Sequence, residues 1–392
     1  MPEEKIVSVG ERISSVRLPM DSPEILDRLG LLGELAGTWR GSGFNLIARP
    51  NFRDRANLYL QLNQTNETLR FDPINAAVPN RGFGQGDIDL FGLTYNQQIF
   101  DASTGGLLHV EPGLWITQPE TVYPPEPPPP GGQLVSRLGT IPHGNSLLAQ
   151  GTAQPFIGPP TLEASPAKYA FSQFPSFNST AFRTSPTLRP IIHAAGTSDA
   201  LSFPPPAPFT EYNLTFPEGI TNPRTPFATF PPEPPLPAKI NGVPMQDVLN
   251  DPIRLLQAVI NRQVAEGKTF EGVALNIATQ SEIEFFVNVN SRFENGDPTV
   301  IVRPIDGAGG IENIRFLQGG EPVGPEGANA NASLFYATFW IEKVREGGFS
   351  FMQLQYAQMV ILDFEVFKTP PDVHANVGWP HVSVATLRKS LF

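Results

Sequence analysis

The stretch Trp379-Pro380-His381-Val382-Ser383-Val384-Ala385-Thr386-Leu387-Arg388-Lys389 decides how this chain folds. His381, Ser383, Ala385 and Leu387 share one face, and Val382, Val384, Thr386 and Arg388 share the other, which is the period of a β-strand. Near the other end, Gly37-Thr38-Trp39-Arg40-Gly41-Ser42-Gly43 reads as the first strand of a small antiparallel barrel. A barrel whose last strand pairs back onto its first brings these ends together. The histidine at the start of the closing strand then stands at the barrel mouth.

The chain between them supports a β-rich fold. Alternating segments over 38–47, 56–64, 67–71, 90–101, 107–117, 133–138 and 146–152 are separated by turn residues such as Asn63-Gln64-Thr65-Asn66 and Ser103-Thr104-Gly105-Gly106. Strand patterns resume at 273–279, 282–288, 299–304, 314–317, 334–344, 349–364 and 381–389. The turn Val344-Arg345-Glu346-Gly347-Gly348-Phe349 joins the two longest. A short helix is expected from Pro23 to Leu32, with proline at its first position and Ile25, Leu29 and Leu32 on one face. A second is expected over 251–266, capped by Asp251, opened by Pro252 and ended by Gly267, with Ile253, Leu256, Ile260 and Val264 aligned. The expected architecture is an all-β, antiparallel up-and-down barrel of about ten strands with one or two short helices. Its segments are a lead with a short helix (1–34), a first barrel part (35–155), a Pro/Phe-rich insertion (156–269) and a second barrel part (270–392).

The insertion carries runs such as Pro127 to Pro130 upstream and Phe203-Pro204-Pro205-Pro206 within it. Each proline removes a ladder donor, so no regular sheet forms there. Phe171, Phe174, Phe177, Phe182, Phe203, Phe209, Phe216, Phe227 and Phe230 make it too aromatic for a solvated tether. The reading favoured is a wrap or lid laid on the barrel, with a disordered linker as the alternative.

Composition narrows the function. With 43 prolines and 35 glycines in 392 residues, a mainly helical protein is excluded. A formal charge of −11 argues against a nucleic-acid partner. Without cysteine, thiolate metal sites, Cys nucleophiles and disulfides are excluded. There is no apolar run long enough for a membrane helix and no signal-peptide pattern, so a cytoplasmic location is expected. There is no nucleophile elbow, phosphate loop, dinucleotide fingerprint or zinc-protease motif; Gly82-Phe83-Gly84-Gln85-Gly86 lacks the strand and helix that a phosphate site needs.

The five histidines are His109, His143, His193, His374 and His381. None are paired at helical metal spacing. A single histidine suffices to hold a haem, because the porphyrin supplies the other four ligands. The face of His381, Ser383 and Ala385 leaves room for a flat ligand; a structural or surface histidine is the plainer alternative. His109 and Glu111 share a strand face and suit either an oriented polar group or a buried pair that anchors a loop. Trp39 and Arg388 are read as a structural pair, the indole plugging the barrel floor and the guanidinium stacking over it.

Three blocks in order resemble the nitrobindins, a family of lipocalin-like and fatty-acid-binding-protein-like barrels. They are Gly37–Gly43; Leu93-Thr94-Tyr95-Asn96-Gln97 followed by His109-Val110-Glu111-Pro112-Gly113-Leu114-Trp115; and Phe339-Trp340-Ile341 with Phe351–Met359 and the closing strand. The insertion and the second helix have no counterpart in that family. The resemblance implies haem b held by His381, with Ser383, Ala385 and Phe44 at the cofactor. It also implies a small diatomic ligand, with nitric oxide binding, peroxynitrite-to-nitrate isomerisation or weak peroxidase-like turnover as the chemistry. No distal histidine–arginine pair is visible to drive O–O cleavage. The competing reading is an iron-free, lipocalin-like binding protein or cyclase for an apolar small molecule; a purely structural protein is the third.

Overall fold

The computed structural model of the chain describes residues 23–51, 56–80, 83, 88–117, 133–160, 162, 237–279, 285–288, 299–302, 309–314, 331–366 and 375–390. The expectations for the lead, for the aromatic part of the insertion, and for His193 and His374 lie outside these residues.

The first half of the wall consists of β1 (Gly37–Asn51), β2 (Ala56–Pro73), β4 (Ile88–Asp101), β5 (Leu107–Thr117), β6 (Gln133–Ile141) and β7 (Asn145–Ile157), with the short β3 (Val78–Asn80) edging β4. The second half consists of β10 (Thr269–Ala278), β14 (Asn331–Glu346), β15 (Phe349–Val366) and β16 (Ala375–Lys389). Each strand pairs antiparallel with its neighbour, β16 returns to β1, and β10 joins β7, so ten strands close with no free edge. At the closing seam Trp39 lies opposite Lys389, Asn45 opposite Ser383, and Ile47 opposite His381.

Several segments depart from the sequence expectation. The two strands expected over 56–71 are one, β2, and Asn63-Gln64-Thr65-Asn66 is no turn. Asn63, Thr65 and Glu67 are buried there, so the chain alternates while its inner face is polar. Of the strand expected over 314–317, Ile314 is outside any strand and 315–317 lie outside the described residues; the preceding β13 (Gly309–Asn313) pairs with β7 beside β10. β11 (Phe285–Asn288) and β12 (Thr299–Val302) form a separate hairpin, as do β8 (Lys239–Ile240) and β9 (Val243–Pro244).

The helices seal the barrel from outside. α1 (Pro23–Leu29) runs into a 3-10 turn at Gly30–Leu35, and Leu29, Leu32 and Leu35 are buried in the core. Gln133 ties this plug down: its amide donates to the Leu29 carbonyl (2.8 Å) and to Thr117 Oγ1 (2.6 Å), while its oxygen accepts from Leu31 N (2.8 Å). Gly30 adopts φ 55°, and a Cβ there would stand 2.5 Å from that Gln133 oxygen. α3 (Arg254–Ala265) is the helix expected over 251–266, and a short α2 (Met245–Asn250) precedes it. The buried face of α3 is Leu255, Leu256, Val259, Ile260 and Gln263, and Val264 is exposed. This face sits on the outer surface of β14 and β15. Gln263 and Gln353 exchange hydrogen bonds (2.8 and 3.2 Å), Gln353 donates to Glu342 Oε2 (2.5 Å), and Gln355 donates to the Leu256 carbonyl (3.2 Å).

Candidate functional site

Three layers fill the barrel. At the floor, Trp39, Phe71, Trp115 and Phe339 pack with the plug helix. Trp39 Nε1 donates to the Leu35 carbonyl at 2.6 Å, which satisfies the one polar atom of the indole. The cation over this ring is Lys389, with Nζ 5.2 Å from the ring, and not Arg388. Arg388 has the opposite parity; it lies on the outside with its guanidinium 4.1 Å from the Phe351 ring. Trp39 and Lys389 are direct cross-strand partners, which is why they share the inner face.

Above the floor lies a buried polar layer. Arg137 donates from Nη2 to Glu111 Oε1 (2.8 Å) and from Nε to the Tyr95 hydroxyl (3.0 Å), and Tyr95 donates a short bond to the same Glu111 oxygen. The guanidinium lies 5.3–5.5 Å from the ring centres of Tyr95, Phe335 and Phe339. Gln97 donates to the Tyr356 hydroxyl (3.0 Å), Tyr356 donates a short bond to Glu67, and Thr65 donates to the other Glu67 oxygen (2.7 Å). Two glycines make room for the carboxyl groups. A Cβ at Gly139 would sit 2.2 Å from Glu111 Oε1, and one at Gly43 would sit 2.7 Å from Glu67 Oε1.

The two carboxyls shift in opposite directions because their surroundings differ. Burial alone would raise Glu111, but the Arg137 charge and the hydrogen bonds of His109 and Tyr95 outweigh it and hold it at about 2. Burial raises Glu67, and the bonds from Tyr356 and Thr65, the nearby His109 and the Gln97 bond offset only part of that. Glu111 is therefore ionised at physiological pH, and Glu67 is shifted the other way.

The third layer is a cavity of about 410 Å³, inside the range of roughly 300–1,000 Å³ usual for small-molecule sites. Its exposed surface is largely apolar, from Ile47, Ile99, Leu108, Ile141, Val360 and Phe335 among others, but half of the lining residues are polar. Polar groups on it are mostly satisfied. Ser383 donates a short bond to Asn45, Asn63 donates to Asp101 (2.6 Å), and Asn145 donates to Asn313 (2.5 Å). The exception is His381, whose Nε2 is buried with no hydrogen-bond partner. Burial, and then the neighbouring His109 and His143, lower this imidazole to about 3, so it is neutral at physiological pH.

The residues singled out from sequence thus take different places. His381 and Ser383 line the cavity, and Ala385 faces inward below them in the core. Phe44 does not face the cavity: it is paired with Val384 on the opposite face of the wall, with Asn45 facing in instead. His109 Nε2 meets Glu111 Oε2 at 3.2 Å, and both border the cavity. His143 also lines it, its ring centre 5.8 Å from that of His109. Sequence reasoning passed over Arg137, Glu67, Tyr95 and Tyr356. The available signal was a charged residue at an inward parity, Arg137 between Val135 and Gly139 and Glu67 between Thr65 and Leu69.

What the arrangement offers chemically is a small-ligand site with one unused imidazole nitrogen. No cluster of three or more His, Cys, Asp or Glu side chains is arranged to hold a bare metal ion among the described residues. An imidazole meets the protein's share of a haem site, where one neutral nitrogen suffices. No described wall residue is Lys or Arg.

No protein-family model matches the chain. No curated protein matches it either. Among solved structures eight chains match. One is the crystal structure of Rv2717c from M. tuberculosis, 11% identical over 93% of this chain and 97% of that chain, with a TM-score of 0.30. A score that low leaves the barrel assignment resting on the strand pairing itself.

Proposed function

We propose that the barrel is a haem protein in which His381 supplies the axial nitrogen. The observation that carries this is the buried, unpartnered Nε2 of His381 on the wall of an apolar cavity. A buried polar atom without a partner costs about 1–3 kcal/mol, and a bond to a ligand removes that cost. Because the ring stays neutral down to about pH 3, its lone pair is available throughout the physiological range. Ser383 beside it is small, and its hydroxyl is already committed to Asn45.

When bound, the haem would supply an iron centre that takes a small diatomic or peroxide-type ligand. The resemblance to nitrobindins points to nitric oxide binding and peroxynitrite isomerisation. The protein's own contribution is a neutral axial base, a largely apolar wall surface that keeps bulk water away, and a polar layer beneath it. The same cavity also suits an iron-free apolar ligand bearing one polar atom that bonds to His381. Haemin added to the purified protein separates the two readings. On the haem reading wild type develops a Soret band, His381→Ala loses it while keeping its fold, and His109→Ala keeps it. A wild type that takes up no haemin at micromolar concentration leaves the apolar-ligand reading in its place.

A further inference from the structure

The cavity holds three imidazoles in three environments. His381 has no partner at Nε2 and is kept neutral by burial. His143 is lowered by burial and by the neighbouring His109, with a backbone hydrogen bond at Leu108 opposing this. Only His109 is bonded to a carboxylate, at 3.2 Å from Glu111 Oε2. That carboxylate is anchored from behind by Arg137 and Tyr95 through its other oxygen. An ionised carboxylate only accepts, so Nε2 of His109 carries the hydrogen and Nδ1 is the ring nitrogen with the lone pair. The charged or titratable groups around His109 are thus Glu111, with Arg137 and Tyr95 behind it, Glu67 on β2, His143 at the rim, and His381 on β16.

We propose that His109 is the acid–base residue of this cavity: its Nδ1 takes the proton of a small weak acid H–X that enters as a neutral molecule, and the imidazolium, backed by Glu111, holds the anion X⁻. In this step the H–X bond breaks, an N–H bond forms on His109, and no electron changes hands. Glu111 is the positioning residue and supplies the counter-charge. The ligand class follows from the wall. A neutral acid crosses a cavity of largely apolar surface without the desolvation cost of an anion, and no described wall Lys or Arg is present to hold an anion that arrives already charged. This inference rests on the haem reading for the anchoring of X⁻.

The test is the affinity of the ferric haem-loaded protein for cyanide as a function of pH, read from the Soret shift. Hydrogen cyanide is undissociated near neutral pH. Where the free His109 ring is neutral, wild type binds it with no net proton release, so the affinity is flat in pH. His109→Gln offers no base, so the proton goes to solvent. Its affinity should be about 10- to 100-fold weaker near neutral pH and should climb about tenfold per pH unit. His109→Leu gives the same slope if the glutamine variant does not fold. In haem-free protein, nitrogen-15 NMR should find the His109 hydrogen on Nε2. A wild-type affinity that already climbs with pH, a variant as flat as wild type, or a hydrogen on Nδ1 alone each overturns the assignment while leaving the Soret band intact. If wild type shows no Soret band, the haem reading fails first, and this inference goes with it.

Discussion

Removing Arg137 should unmake the polar layer. The guanidinium is 1% exposed and is bonded to Glu111 at 2.8 Å; it also donates to Tyr95 at 3.0 Å and to Gln358 Oε1 at 3.3 Å. Arg137→Met leaves a buried carboxylate without its counter-charge, a change that costs about 3–5 kcal/mol. An independent route gives the same size. Glu111 is moved from 4.5 to about 2, and at 1.36 kcal/mol per unit that is about 3 kcal/mol of stability. The sign follows from the direction: a carboxyl depressed in the folded state contributes fully above pH 4.5, and that contribution is lost as pH falls towards about 2. Urea denaturation followed by circular dichroism, near neutral pH and stepwise into acid, measures both effects. Arg137→Met should lose the 3–5 kcal/mol near neutral pH and show a flatter acid limb. The double variant Arg137→Met with Glu111→Gln should recover part of the loss, because no charge is left unpaired. A single variant within about 1 kcal/mol of wild type, or a double variant that costs the sum of the singles, would refute the account of this layer.

Other parts of the fold give shorter tests. Trp39→Ala should cost about 3–5 kcal/mol, since the fully buried indole holds the floor and bonds to Leu35; a melting curve like that of wild type would show that the floor has been misread. Arg388→Ala, by contrast, removes only an exterior contact to Phe351 and should cost about 1 kcal/mol or less. Glu342, buried beneath α3 with one oxygen bonded to Gln353, is raised to about 8 by burial, with that bond opposing. It is protonated when folded and ionised when unfolded between about 4.5 and about 8, so wild-type stability falls as pH rises through that window. Glu342→Gln removes this slope and should exceed wild type by on the order of 2–4 kcal/mol at the upper end; parallel pH profiles for the two proteins would contradict the placement.

Much of the barrel is legible from parity. The seam strands β1 and β16 and the hairpin of β14 and β15 alternate cleanly, because one face meets the core and the other meets α3 or solvent. β2 was harder, since its inner residues Asn63, Thr65 and Glu67 are polar and mimic a turn when read without their partners. The same polar interior hid most of the site. Arg137, Glu111, Tyr95, Glu67 and Tyr356 come from five strands, and no local spacing announces that they converge. The Trp39 pairing failed by one residue: Arg388 and Lys389 are both cations, and only the register of β16 on β1 decides which faces in. Phe44 failed for the same reason, since strand parity turns it outward while Asn45 faces the cavity. His143 sits in a turn between β6 and β7, and its place at the cavity depends on how that hairpin leans against His109.

The central proposal is that His381 would hold the haem iron through the nitrogen that no described residue satisfies. Replacing His381 by glycine leaves a gap shaped for an imidazole, so the most direct measurement is the Soret spectrum of His381→Gly with haemin, before and after imidazole is added. The account predicts no axially ligated spectrum for the variant alone and recovery of the wild-type band when imidazole enters the gap. A glycine variant whose spectrum already matches wild type, and does not respond to imidazole, would show that another residue holds the group.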